Sequence, residues 1–251
     1  MKFNEIKGFE DRMLFICKFT KSEYVQDFLD GNLYMNNFKQ FVEQEKRTEY
    51  KGQGDSYEGS YINIMEAVDI YIDDVYVASA EKTELSVSND YISKIPLFSM
   101  CQLTSRDFEI ITKQEESIII QLSLTREEIN RIKEDFKCDK VIFTMDYAEF
   151  KRRLTNAAKE LKTELWSNPI QYIDFSWNKE RYKRFEDGNL DSLFTKHKSL
   201  EYQREFRFVL PQMPVDQYYR FKVGDLSDMF TVANIDDFLS GIKIQVNIAT
   251  V

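Results

Sequence analysis

The sequence predicts an α+β fold: one domain over residues 1–251, with a largely antiparallel sheet and flanking helices. Three observations predict it. Short apolar runs of strand length recur from Leu14 to Ile248, with only a few stripes of helical period among them. Between Tyr61 and Leu122 strand patterns follow one another without the intervening helices that a parallel sheet needs. The chain of 251 residues carries 20 Phe and 14 Tyr, ample for a core, and no composition break, repeat or low-complexity tract divides it.

Leu14–Thr20 reads as the first strand, and Ser22 as the cap of a helix with Val25, Phe28 and Leu29 on one face, stopped by Gly31. Leu33–Met35 is a second strand; Asn36 or Asn37 then caps a helix that turns Phe38, Phe41 and Val42 inward. From Thr48 to Ser60 apolar periodicity vanishes and Gly52, Gly54 and Gly59 cluster, the pattern of a loop in a position to act as a lid. Strands are predicted at Ala67–Tyr71, Val75–Ala78, Leu97–Leu103 and Ser117–Leu122. Thr125 with Glu128 forms a capping box ahead of Ile129, Ile132 and Phe136. Lys140–Thr144 is a further strand. The clearest helix is Tyr147–Leu165, where Phe150, Leu154, Ala157, Ala158, Leu161 and Leu165 make one apolar stripe. Strands at Ile170–Phe175, Gln203–Leu210, Gln217–Val223 and Ile242–Ile248, with short helices at Asp191–Thr195 and Ile235–Leu239, complete the inventory.

Lys plus Arg number 34 and Asp plus Glu 43, a net charge of −9, which argues against a generally basic nucleic-acid binder. Two local basic segments, Lys151, Arg152, Lys159 and Lys162, and Lys179, Arg181, Lys183 and Arg184, leave nucleic acid as a partner only through such patches. Asp225, Asp228, Asp236 and Asp237 read as solvated surface or a docking face for a basic protein. The longest uncharged stretch, Ile95–Ser105, is far short of the roughly 20 residues that span a bilayer, and Met1–Arg12 holds no hydrophobic core of a secretory signal. A cytoplasmic protein without a membrane partner is expected.

Three scattered cysteines, Cys17, Cys101 and Cys138, fit neither a disulfide framework nor zinc-finger spacing, and no metal is expected. The glycine cluster has neither dinucleotide nor phosphate-loop spacing. The sole histidine, His197, sits between Lys196 and Lys198 and reads as solvated rather than catalytic. The informative segment is Tyr202–Leu210. A two-residue period places Phe206, Phe208 and Leu210 on one face and Gln203, Glu205 and Arg207 on the other. Anchored by its apolar face, Glu205 is aimed rigidly and suits stabilisation of developing positive charge; the plainer reading is a half-exposed strand where Glu205 offsets Arg207.

The segment Phe28-Leu29-Asp30-Gly31-Asn32-Leu33-Tyr34-Met35, followed by Phe41, Glu43, Arg47, Asp55, Glu58 and Gly59, together with Lys198 and Tyr202-Gln203-Arg204-Glu205-Phe206-Arg207, resembles a family of uncharacterised bacterial and prophage proteins. More distantly, the order of a first strand, a glycine-ended helix, an L-Y-M strand, a middle strand bearing Ser99 and a late Gln-x-Glu strand resembles the layout of ADP-ribosyltransferases. That resemblance implies a toxin or phage-defence effector that transfers ADP-ribose from NAD, its substrate, to a macromolecule. Glu205 is then the catalytic carboxylate, Gln203 orients the acceptor, and Lys18, Ser99 and Arg207 hold the dinucleotide. Two departures stand out. Lys18 replaces the arginine or histidine of the family's first strand and lacks the guanidinium fork; Phe98-Ser99-Met100 departs from Ser-Thr-Ser. On the residues alone Lys18 reads as an outward side chain of an edge strand. The alternative function is a non-enzymatic binding or ligand-sensing protein of phage or bacterial immunity with the same fold, recognisable by an exposed aromatic patch.

Overall fold

The computed structural model describes residues 1–47 and 57–247. Its elements are β1 (Met13–Thr20), α1 (Ser22–Leu29), β2 (Asn32–Asn37), α2 (Phe38–Arg47), β3 (Tyr61–Ile72), β4 (Val75–Val87), α3 (Asp90–Ser93), β5 (Pro96–Thr104), β6 (Phe108–Lys113) and β7 (Ser117–Leu122). There follow α4 (Arg126–Phe136), β8 (Lys140–Thr144), α5 (Tyr147–Glu160), β9 (Trp166–Pro169), β10 (Gln171–Ile173), α6 (Lys179–Glu186), β11 (Thr195–His197) and β12 (Glu205–Val209). The last are β13 (Tyr218–Lys222), β14 (Thr231–Asn234), α7 (Ile235–Leu239) and β15 (Lys243–Asn247). The fold is mixed α and β with mostly antiparallel sheets, as the strand patterning predicts; among the described strands only β10 and β11 pair in parallel. No described helix is long and apolar enough to cross a membrane.

Strands β13, β2, β5, β1, β8, β14, β12 and β9 share one sheet, and β5 is its hub. Cys101 is opposite Glu205 of β12 on one edge and Cys17 of β1 on the other, while Leu97 is opposite Val209 of β12 and Asn36 of β2. Strands β1 and β2 therefore leave the same edge of β5 at its two ends, and a fork opens between them at Phe98–Met100. Gly31 makes the α1–β2 corner: it has φ +77°, and an added Cβ would lie 1.8 Å from the Gly224 carbonyl oxygen, so only glycine fits.

Each face of the large sheet has its own cover. On one, α1 and α5 lay Phe28, Phe150, Leu154 and Ala157 over Ile16, Phe98, Met100, Phe206 and Phe208. The other packs Phe15, Cys17 and Cys101 against Phe108, Ile118 and Ile120 of the small β15–β7–β6 sheet, with Ile132 of α4 and Phe238 of α7. A third cluster of Phe38, Ile92, Leu97, Leu193 and Val209 closes the end of that second face. Leu154 is wholly buried, so truncation to alanine costs about 2–5 kcal/mol.

Local expectations hold where short-range chemistry sets the element. The Thr125 hydroxyl accepts from Glu128 N–H (3.2 Å) while the Glu128 carboxylate accepts from Thr125 N–H (2.8 Å). Asn37 Oδ1 accepts from Gln40 N–H (2.9 Å) at the start of α2. Several expectations are corrected. Ser22 is the first residue of α1 rather than its cap, and its N–H is taken by Asp139 (2.8 Å) instead. Helix α5 stops at Glu160, because Lys162 turns to φ +56°, although Leu165 still packs on the same cluster. The predicted strand Ile170–Phe175 is shortened to β10, Gln171–Ile173, while the preceding β9 ends at Pro169. Strand β1 is central, flanked by β5 and β8, so it is no edge strand, although its pairing with β5 ends at Cys17, one residue before Lys18. The largest departure is the β3–β4 hairpin, whose 12- and 13-residue strands far outrun the predicted Ala67–Tyr71 and Val75–Ala78. Of the predicted loop Thr48–Ser60, residues 48–56 fall outside the described residues.

Candidate functional site

Strand β12 begins at Glu205, two residues later than its pattern suggests. Lys198–Gln203 coils as a 3₁₀ turn and Arg204 takes φ +47°, so Gln203 precedes the strand. From Glu205 the alternation holds: Phe206 and Phe208 join the cluster under α1 and α5, while Glu205 and Arg207 enter the opposite face. Neither face is solvated. Arg207 is 0% exposed and Glu205 7%, so the half-exposed strand is corrected to one enclosed on both sides.

Burying these charges is tolerable because each meets partners. Arg207 donates from Nε to Glu205 Oε1 (2.5 Å), from Nη2 to Glu58 Oε1 (2.6 Å) and from Nη1 to the Leu193 carbonyl (2.8 Å). Lys196 Nζ lies 2.7 Å from Glu205 Oε2 and 3.0 Å from Glu58 Oε1, and donates to Gln203 Oε1 (3.0 Å). Ser99, across the ladder from Arg207, donates from Oγ to Glu205 Oε1 (2.5 Å). The Tyr172 hydroxyl accepts from Glu205 N–H (2.9 Å). The result is a centre of two carboxylates and two cations between two apolar clusters, with the Phe38 ring 5.4 Å from the Arg207 guanidinium.

The electrostatics follow from these contacts. Burial opposes a charge on Glu205, but Arg207 and Lys196 outweigh it and hold the carboxyl far below the ordinary carboxylate range. Burial likewise works against Arg207, and Glu205 and Glu58 more than restore its charge. Burial pushes the Tyr172 phenol up, and the Glu205 carboxylate adds to the rise. Lys18 stands apart. It is half-buried in the fork between β1 and β2, donating to the Ser99 carbonyl (2.7 Å) with its Nζ 4.7 Å from the Phe98 ring centroid. Desolvation lowers its pKa to about 8, against a weaker pull upward from Glu205.

The structure thus brings four of the five sequence candidates together. Glu205, Arg207, Ser99 and Gln203 share one bonded network, and Lys18 joins it through the Ser99 backbone. Both Glu205 oxygens are occupied, and Arg207 is committed to protein acceptors at all three guanidinium nitrogens. Sequence reasoning missed Lys196 and Tyr172, and read Glu58 only as part of a resemblance. Lys196 had no periodic signal: Glu205 lies nine residues on, across the turn at Lys198–Gln203, and Glu58 comes from a distant part of the chain. His197 accepts from Ser199 N–H (3.2 Å) and caps the turn that follows.

The basic segments are partly spent inside the protein. Arg181 donates to the Ile62 and Ser176 carbonyls (both 2.9 Å), and Arg184 pairs with Asp191 (3.3 Å). Arg152 pairs with Glu149 (2.6 Å). An open cavity of about 750 Å³ lies at the foot of the β3–β4 hairpin, lined in part by Glu66, Val68, Lys82, Asp174, Trp177 and His197. Among the described residues no group of three or more metal-ligating side chains stands together.

No family model, curated protein or solved structure matches this chain.

Proposed function

We propose that this protein is a non-enzymatic, cytoplasmic binding protein whose working surface is the β3–β4 hairpin. The observation that carries this reading is the hairpin's exposed apolar tip, where Tyr71, Ile72, Val75 and Tyr76 are each more than half exposed. The state of Glu205 supports it. A carboxylate that stabilises an oxocarbenium ion must offer negative potential to an open site. Here Glu58 and Glu205 are balanced by Lys196 and Arg207, and the Glu205 side chain is 8% exposed. On this reading the centre organises β12 and the elements around it.

A second reading has its own support. The Ser99–Glu205 hydrogen bond on adjacent strands, beside a forked sheet holding Lys18, is the arrangement an ADP-ribosyltransferase-like toxin or phage-defence effector would use on NAD. Kinship with the bacterial and prophage family rests on its quoted residues and is compatible with either function. One experiment separates them. The protein is incubated with labelled NAD and a cell extract beside Glu205→Gln, at a temperature where both are folded, and nicotinamide release, label transfer and the NAD-dependent change in Tm are measured. The binding reading expects none of the three. Release or transfer that vanishes in Glu205→Gln would overturn it and install the transferase.

A further inference from the structure

The two faces of the hairpin differ in a way that identifies what covers one of them. Its turn is Asp73–Asp74, both at positive φ (50° and 64°), which is the two-residue turn that suits the twist of paired strands. The ladder places Ile72 opposite Val75, Tyr71 opposite Tyr76, Ile70 opposite Ala78, Asp69 opposite Ser79 and Val68 opposite Ala80. Directly opposed residues share a face. One face therefore carries Asp69, Tyr71, Tyr76 and Ser79, and it is finished by its own contacts. The Ser79 hydroxyl donates to Asp69 (2.6 Å) and lies 2.7 Å from the Tyr76 hydroxyl, and the Tyr71 and Tyr76 rings meet edge to face with centroids 5.9 Å apart.

The other face carries Val68, Ile70, Ile72, Val75, Ala78 and Ala80, all aliphatic. Ile72 is 61% and Val75 65% exposed. Toward the base the same face continues through the Glu66–Lys82 pair of the ladder into the cavity that holds Trp177. Among the described residues β3 and β4 pair in a sheet of two strands alone, an arrangement marginal in water unless its apolar face is covered.

Charge selects the occupant. From Glu66 to Leu85 the hairpin has six acidic residues, Glu66, Asp69, Asp73, Asp74, Glu81 and Glu84, against Lys82. Of these, Glu66 and Glu84 stand on the aliphatic face with Lys82, and Asp73 and Asp74 cap its tip, so a second copy would bring acids together and an anionic membrane surface would be repelled. We infer that the aliphatic face of the β3–β4 hairpin docks a basic protein segment that presents apolar side chains flanked by Lys or Arg. This rests on the binding reading above and adds the chemistry of the partner.

The test uses the full chain and three labelled synthetic helical peptides: one with a leucine face and lysines elsewhere, one with glutamate in place of lysine, and one with serine in place of leucine. Fluorescence anisotropy of the labelled peptide reports binding. The lysine–leucine peptide is expected to bind at least tenfold more tightly than either control, more weakly as salt rises, and at least tenfold more weakly to the Ile70→Ser/Ile72→Ser/Val75→Ser variant. Equal binding of the glutamate–leucine peptide, lost in that variant, would overturn the basic partner while leaving the hairpin a docking surface. Lysine–leucine binding that the variant does not weaken, or no binding, would overturn both. Light scattering that shows a dimer, absent in the variant, would name a second copy as the occupant and overturn the basic partner.

Discussion

On β12 the charged side chains are inside and matched, whereas on the β3–β4 hairpin the aliphatic ones are outside and uncovered. The two regions invert the usual rule in opposite senses, and their energetics differ accordingly. A buried charge is tolerated only while its partners hold it, so each member of the Glu58, Lys196, Glu205 and Arg207 centre should matter to folding. An exposed aliphatic residue contributes little to the folded chain until something covers it. A residue essential for stability and a residue essential for binding should therefore be different residues here.

The largest break in that contrast is expected from Arg207→Met, which leaves Glu58 and Glu205 sharing Lys196. Urea unfolding should show a loss of about 3–5 kcal/mol, with a fall in Tm of roughly 10 °C for a chain of this size. A loss below 1 kcal/mol would mean that the centre is hydrated rather than sealed.

Glu205→Gln should cost about 3 kcal/mol at pH 7, and its pH dependence identifies the cause. The folded Glu205 carboxyl is held below its unfolded value, so its contribution is complete above the unfolded carboxyl pKa of about 4.3. That contribution is lost as pH falls below this value toward the folded one. The gap in unfolding free energy between wild type and variant should narrow from pH 5 downward.

Lys18→Met sharpens the comparison from the other side. The folded Lys18 titrates near 8, below the roughly 10.4 of a free lysine, so its charge costs stability below pH 8. That cost fades as pH rises from about 8 to about 10.4. Wild type should gain on the variant across this window, as read by denaturant midpoints at pH 7, 9 and 10.5; a constant difference would place the ammonium in water. The smallest effect on stability belongs to Ile72→Ser, within about 0.5 kcal/mol, while peptide docking falls.

How much was legible follows from how far each signal reaches along the chain. The capping box at Thr125, the apolar stripe of α5 and the alternation of Glu205–Val209 all arise within a few residues, and all three appear in the structure. The burial of Arg207 depends on Glu58, 149 residues away, and on the Leu193 carbonyl, which no local pattern reports. The length of β4 was hidden for a different reason. Glu81-Lys82-Thr83-Glu84 is polar throughout and mostly exposed, so no apolar period marks it as a strand. Lys18 misled because a lone lysine in an apolar run normally marks an edge, whereas here a fork in the sheet gives the ammonium a carbonyl acceptor.

The alternation of β12 also proofreads the assembly of the sheet. If β12 slid by one residue along β5, Phe206 would face Lys196 and Glu58. Glu205 and Arg207 would then turn toward Phe150 and Leu154, where the cover is apolar. The four-membered centre would split: Glu205 and Arg207 would leave Glu58 and Lys196 behind and carry their charges under an apolar cover. The ion centre is thus a gauge of alignment: it closes only when segments far apart in sequence have arrived in the correct register, so a misaligned strand cannot settle as a near-native trap.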